Sequence, residues 1–241
     1  RGVLSMVDRM ILSRLKHRVR LSPIAIPYWE RRRRKIRTKG TYAQHGEDLL
    51  MLDLVEDNGT YLDIGANHPF LISNTYLLYL KGWRGVTVEP IRSLWQMHRR
   101  WRPEDVSLNV AVGQKGAMLF YELYPDVLST ASREVANAIE ADGNGTIVDE
   151  YEVPIISGNS IMEKHFAGRE LTLLSIDVEG MDFEVLKSFD FTEHRPRYVL
   201  LEHSNFVPNE QGASDSAAYL AANYYVFDRE IGCNSLFKSA R

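Results

Sequence analysis

The chain has 241 residues, 44% hydrophobic and 25% charged, with a formal net charge of −3, a length and balance that suit one sizeable α/β domain. Its single cysteine, Cys233, excludes an internal disulfide framework, and no Cys/His cluster suggests structural zinc. No apolar run reaches the roughly 18 residues of a membrane span, and the single cysteine makes a reducing, cytoplasmic compartment the expectation.

The charge is divided. Residues 1 to 40 hold 13 Lys and Arg against two acids, Asp8 and Glu30, a net of +11 that leaves −14 for the rest. This marks residues 1–40 as a basic helical appendage to a domain spanning 41–241. Within it Met6, Met10, Ile11, Leu15 and Val19 follow a loosely helical spacing among Arg9, Arg14, Lys16, Arg18 and Arg20. After the Ser22-Pro23 break come Tyr28, Trp29 and the run Arg31 to Arg34 with Lys35, Arg37 and Lys39. Such a segment suits a solvated helix beside the acidic domain, in a homo-oligomer for example. It also suits docking on an anionic membrane surface or a protein partner, which would make the protein peripheral at the membrane. Nucleic acid ranks last, because the aromatic interleaving of single-strand binders is missing.

From Tyr42 the pattern becomes regular. The sequence predicts a helix over 43–55, strand one over 60–64, and a helix opening near Asn74 and Thr75. Strand two covers 85–89, a helix 91–101, strand three 106–112, and an extra strand 117–123 pairs locally through a Gly113–Gly116 turn. Residues 125–150, rich in Ser, Asn, Asp and Gly, read as a long mobile excursion, and 151–156 as a strand. Strand four covers 171–177, a helix 181–189, strand five 197–202 and a helix 213–223, with a closing pair at 224–228 and 235–239. Strands alternating with helices at this spacing predict a Rossmann-like, mostly parallel sheet flanked by helices. Seven strands are expected, closed by an antiparallel pair.

In such sheets ligands bind beyond the carboxyl ends of the strands. The turn Asp63-Ile64-Gly65-Ala66-Asn67 follows a buried strand and precedes a helix, as in a nucleotide site, but its single glycine departs from G-x-G-x-x-G. Four strands end in acids, Asp63, Glu89, Asp177 and Glu202. Four carboxylates on one edge repel unless a cation, hydroxyls or donors separate them. Glu89, at the end of the strand after Asp63, sits where an acid binds ribose hydroxyls. Nicotinamide cofactors and S-adenosylmethionine both remain open on that ground, as does a non-catalytic binding module.

Several segments together resemble the FkbM-type methyltransferases. They are Gln44-His45-Gly46-Glu47-Asp48, Tyr61 through Asn67, Ser73-Asn74-Thr75, Gly82-Trp83-Arg84-Gly85 and Glu89-Pro90. Arg102-Pro103, Asn109 through Val112, Ser129-Thr130 and Ser175-Ile176-Asp177-Val178-Glu179-Gly180 complete the set. The resemblance spans roughly residues 41 to 203 and implies S-adenosylmethionine-dependent methylation of a hydroxyl on a saccharide, polyol or natural-product scaffold. It places Asp63, Gly65 and Asn67 at the cofactor's methionine part, Glu89 at its ribose, and Asn109 and Ala111 near the adenine. Gln44, Glu47 and Asp48 would close the site, Asn74 and Thr75 line its floor, and Asp177 stand beside the sulfonium and the acceptor.

A hydroxyl nucleophile calls for a base or a metal. The candidate bases are Asp177, Glu179, Glu202 and His203, with His203 favoured by its ordinary pKa near 6.5. Asp177, Glu202 and His203 could instead hold Mg2+ or another divalent cation. The segment Pro125–Gly145 has the length of a lid, with Ser129 and Thr130 as its first contacts. Tyr121, Tyr124, Asn205 and Phe206 are candidate sugar contacts, whereas Trp83, Trp95 and Trp101 read as packing residues.

Overall fold

A computed structural model describes residues 6–55, 58–114, 116–178, 180–202 and 211–241. The basic segment forms α1 (Met6–Leu21) and α2 (Ile26–Arg37), parted by a 3-10 turn at Pro23–Ala25, where proline removes the amide a continuing helix needs. Trp29 of α2 is buried, its ring centroid 4.7 Å from that of His68 and 6.2 Å from that of Phe70.

Next come α3 (Glu47–Leu54), β1 (Thr60–Ile64), α4 (Tyr76–Leu80), β2 (Arg84–Val88), α5 (Arg92–Trp101) and β3 (Val106–Leu108). They are followed by β4 (Ala111–Val112), β5 (Gly116–Tyr124), α6 (Arg133–Ala141), β6 (Thr146–Ile156) and α7 (Gly158–His165). The chain ends with β7 (Leu173–Ile176), α8 (Asp182–Leu186), β8 (Tyr198–Glu202), α9 (Gln211–Ala222), β9 (Tyr225–Ile231) and β10 (Asn234–Ser239).

Seven strands form the main sheet in the order β3-β2-β1-β7-β8-β10-β9, parallel except for β10, which runs against both neighbours. The order reverses between β1 and β7, where open α/β sheets leave a crevice beyond the carboxyl ends of the strands. Side chains alternate across the sheet. Leu62, Ile64, Val86, Val88, Leu174, Ile176, Val199 and Leu201 enter one core with Val185, Leu186, Phe189, Phe191 and Leu220. Tyr61, Leu173, Tyr198, Leu200 and Leu236 enter another with Met51, Val55, Leu78 and Trp83. Covered on both faces, the central strands read as the apolar runs that made them visible in the sequence. Among the described residues, no helix is long and apolar enough to cross a membrane.

The departures from the sequence reading cluster between residues 106 and 165. Strand three is two strands, because the Asn109 side chain donates at 2.9 Å to both the Glu89 and the Pro90 carbonyl and turns the chain out of the main sheet. β4 pairs in parallel with β6 in a separate three-stranded sheet. The extra strand, β5, pairs antiparallel with β6 and not through the 113–116 turn. Residues 125–150 are ordered: a 3-10 turn at Asp126–Leu128, helix α6 and the first half of β6. Ser132 caps α6, its hydroxyl accepting from the Val135 amide at 3.3 Å, and Ala136 is buried beneath Tyr121 and Leu123. Helix α7 had not been expected.

Candidate functional site

The strand register fixes which residues share the carboxyl edge. Ile64 pairs with Val88 and with Ile176, and Ile176 with Leu201. The residues one step beyond are Gly65, Glu89, Asp177 and Glu202. Three of the four strand-end acids therefore stand at one level, and Asp63 does not. Asp63 lies two residues below Gly65, level with Thr87 and Ser175, and is buried on the face that carries Tyr61.

There Asp63 belongs to a buried polar network. The Thr75 hydroxyl donates to Asp63 Oδ2, and Arg102 Nη1 lies 3.9 Å from the same oxygen. Arg102, fully buried, donates to Asp105 Oδ2 at 2.8 Å, to the Tyr61 hydroxyl at 2.8 Å and to Thr75 Oγ1 at 2.9 Å. Tyr61 donates to Asp105 Oδ2 at 2.6 Å, and Asp105 Oδ1 accepts the Gly85 amide at 3.0 Å. Burial pushes the Asp63 carboxyl up, and Arg102, Thr75 and Ser175 pull it back. Asp63 and Thr75 thus brace the floor of the site from below, tying β1 to α4 and α5.

Above them the turn is shaped by backbone. Gly65 and Ala66 donate to the Val88 carbonyl at 3.0 and 3.1 Å. Gly65 has φ of 78°, and a Cβ there would sit 1.8 Å from the Asp177 carbonyl oxygen. Its smallness lets the end of β1 lie against the end of β7. Asn67 is also left-handed, at φ 44°, and its carbonyl is held at 2.8 Å by His98 Nε2. Burial, then Arg102, pushes His98 down to about 3, so a neutral imidazole supplies this bond and Nε2 carries the proton.

Glu89 is buried at the tip of β2, and Oε1 accepts the Ile91 amide at 2.7 Å. Burial pushes it up to about 8, and Glu122 and Asp126 add to the rise. Those two acids bring the end of β5 and the 126–128 turn close to Glu89, on the side where a lid was expected. The lid's Ser129 and Thr130 hold that segment together: Ser129 Oγ accepts the Leu123 amide at 3.0 Å, and the Thr130 backbone bridges Tyr121. Tyr121 is buried in the small core under α6 and Tyr124 is half-buried. Ala111 lies in β4, level with Ile155.

The N-terminal acids have partners of their own. Glu47 accepts the His45 amide at 2.8 Å and the Asn234 side-chain amide at 2.7 Å. Asp48 accepts the Tyr42 and Leu49 amides at 2.8 and 2.9 Å and the Thr41 hydroxyl at 2.5 Å. These bonds fold residues 41–49 over β10. Gln44 is exposed and Asn74 half-buried.

At the ends of β7 and β8, Asp177 and Glu202 are both half-buried. Cys233 Sγ donates to Glu202 Oε1 at 3.7 Å, and burial together with Glu202 pushes the thiol up to about 11. Glu179 and His203, with Asn205 and Phe206, lie outside the described residues. Among the described residues no group of three His, Cys, Asp or Glu is gathered as a metal site. One group the sequence reading passed over stands here. Asp182, first residue of α8, is pushed up to about 6 by burial first and by Glu202. Its Oδ1 is buried with no hydrogen-bond partner among the described residues. The signal available was its place five residues after Asp177, in the first turn of a helix.

The residues at this edge fit S-adenosylmethionine. The raised Glu89 carboxyl receives backbone donors but no described cation, and ribose hydroxyls would complete its bonding. The 65–67 turn presents backbone and small side chains only. A family model described as the methyltransferase FkbM domain matches residues 63–229. No curated protein matches the chain. Among solved structures, a TehB-like SAM-dependent methyltransferase from Corynebacterium glutamicum is similar at 10% identity and TM-score 0.46, over 90% of this chain and 100% of its own. A structure titled as a putative O-methyltransferase from Klebsiella pneumoniae shows 10% identity and TM-score 0.46, over 100% and 92% respectively. Monomeric WbdD shows 15% identity and TM-score 0.40, over 81% of this chain and 41% of its own.

Proposed function

The chain belongs to the FkbM methyltransferase family and is an S-adenosylmethionine-dependent methyltransferase, and from that premise we propose that it methylates a hydroxyl of a saccharide or related polyol or natural-product acceptor. The observation that carries this reading is the carboxyl group at the ends of β7 and β8. Asp177 and Glu202 end those strands, and Asp182, at the start of α8, lies near enough to Glu202 to feel its charge, is raised to about 6 and has one oxygen unsatisfied. An alcohol is a poor nucleophile until its proton is shared, and a carboxyl moved toward neutrality is suited to share it.

In this reading the 65–67 backbone and Glu89 hold the cofactor, which when bound supplies a methyl already activated on a sulfonium. Asp177 borders the cofactor and the acceptor, and the Asp182 carboxyl accepts the acceptor's hydroxyl hydrogen. Glu202 keeps Asp182 basic by like-charge repulsion and offers a second acceptor for a neighbouring hydroxyl. The hydroxyl proton would move onto Asp182 and on to water as the methyl passes to the acceptor oxygen, the carbon–sulfur bond breaking as the carbon–oxygen bond forms. The protein's largest contribution is alignment of the acceptor oxygen with the transferred carbon. His203, the base expected from the sequence, is the competing assignment, and the two make different predictions. With Asp182 as base, Asp182→Asn lowers kcat by on the order of 10²–10⁴ and leaves S-adenosylhomocysteine affinity unchanged. The acidic limb of the wild-type pH–rate profile then falls near 6. A full rate in Asp182→Asn with a lost rate in His203→Ala transfers the role to the histidine.

A further inference from the structure

Outside the cofactor edge, α1 is mounted with its apolar side away from the protein. Ile11, Leu15 and Val19 recur every fourth residue, which keeps them on one stripe, and they are 57%, 55% and 48% exposed. Leu12 beside them is exposed as well. The opposite side, which carries Ser13 and His17, holds the body, packing against β5 and β6. There the Thr146 hydroxyl donates to Ser13 Oγ at 3.4 Å, and His17 Nε2 lies 3.1 Å from Glu122 Oε1. A helix seated on a globular protein ordinarily buries such a stripe, and α1 leaves this one exposed. At about 100° per residue, Arg14 and Arg18 fall on one flank of the stripe and Lys16 on the other, all three exposed. The apolar surface continues beyond the turn through Ile24, 83% exposed, to Tyr28 on the outer side of α2, beside the exposed Arg31, Arg32 and Lys35.

We propose that α1 and the outer side of α2 form a docking surface for an anionic lipid bilayer. Ile11, Leu15, Val19 and Ile24 enter the headgroup boundary, and the flanking Arg and Lys meet lipid phosphates. Apolar residues facing outward with cations on both flanks are the pattern of an interfacial helix, and each cation near such a surface adds about fivefold to affinity. Residues 41–241 carry −14, so attraction to such a surface falls to the cations of this segment. A second copy is a poorer occupant, because stripe against stripe in a two-fold contact would bring Arg14, Lys16 and Arg18 against their own equivalents.

The test is sedimentation of the full chain with mixed phosphatidylglycerol–phosphatidylcholine vesicles and with pure phosphatidylcholine vesicles. The proposal expects binding to the mixed vesicles only, weakening as salt rises. Leu15→Asp/Val19→Asp lowers that binding by on the order of a hundredfold, and Arg14→Glu/Arg18→Glu by about tenfold or more. S-adenosylhomocysteine binding, which uses none of these residues, stays intact and reports that the variants are folded. Three results overturn the proposal: no binding to anionic vesicles, binding indifferent to Leu15→Asp/Val19→Asp, or a stable dimer in sedimentation velocity that this double variant splits.

Discussion

Replacing Arg102 by Met would keep the length of an apolar chain while removing the cation that, among the described residues, faces Asp63, Asp105 and Tyr61. In the native protein Arg102 is fully buried and makes three hydrogen bonds of 2.8 to 2.9 Å, with Asp63 a further 3.9 Å away. Neither carboxylate is near bulk water, so each loses its counter-charge without gaining solvent. Breaking a buried pair in this way costs about 3–5 kcal/mol, a fall in Tm of roughly 10 °C for a chain of this size. The sign of the pH dependence follows from the carboxyls. Burial already holds Asp63 above its ordinary value, and losing Arg102 moves it further up. A protonated carboxyl needs no counter-charge, so the variant's deficit is largest at high pH and shrinks as pH falls. Urea denaturation of wild type and Arg102→Met over the pH range in which both fold measures it. A deficit below about 1 kcal/mol at pH 7, or one that grows as pH falls, would refute the reasoning.

Glu89, raised to about 8 by burial, holds a proton in the folded state that the unfolded chain releases near 4.5. The free protein therefore loses stability as pH rises from about 4.5 to 8, by about 1.4 kcal/mol per pH unit at most. Glu89→Gln removes this slope and weakens S-adenosylhomocysteine binding, and a slope unchanged in Glu89→Gln would assign it elsewhere. Gly65→Ala places a Cβ on the Asp177 carbonyl at a left-handed φ. We expect a loss of about 2–4 kcal/mol, and cofactor affinity falling with it, in denaturation and calorimetry. Turnover is expected to survive chelation, and its loss, restored by Mg2+, would make Asp177, Glu202 and His203 metal ligands.

The central sheet was legible because strands covered on both faces carry continuous apolar runs, and β1, β2 and β8 fall within a residue of their expected bounds. The three-stranded sheet was not. Its folding depends on Asn109 turning the chain aside and on β5 meeting a strand some 30 residues away, neither of which leaves a local pattern. The helix at 133–141 was masked by its polar composition, although Ser132 is a regular cap. Reading Asp63 as a strand-end acid failed for a physical reason. The apolar run suggests where a strand stops, but the register with β2 and β7 decides which residue reaches the edge. The cation that answers Asp63, Arg102, lies about 40 residues on, so its burial could not be read from its neighbours. Glu89 and Asp177 needed only their places at the ends of apolar strands.

The central claim, methyl transfer to a hydroxyl, is tested most directly by following the methyl carbon. Turnover of S-adenosylmethionine carrying a 13C-labelled methyl with a panel of oligosaccharides and polyols, read by NMR, reports the atom that receives it. The account predicts a labelled carbon bonded to oxygen, with the signal lost in Asp182→Asn and cofactor affinity retained. A labelled carbon on nitrogen, sulfur or carbon would contradict it.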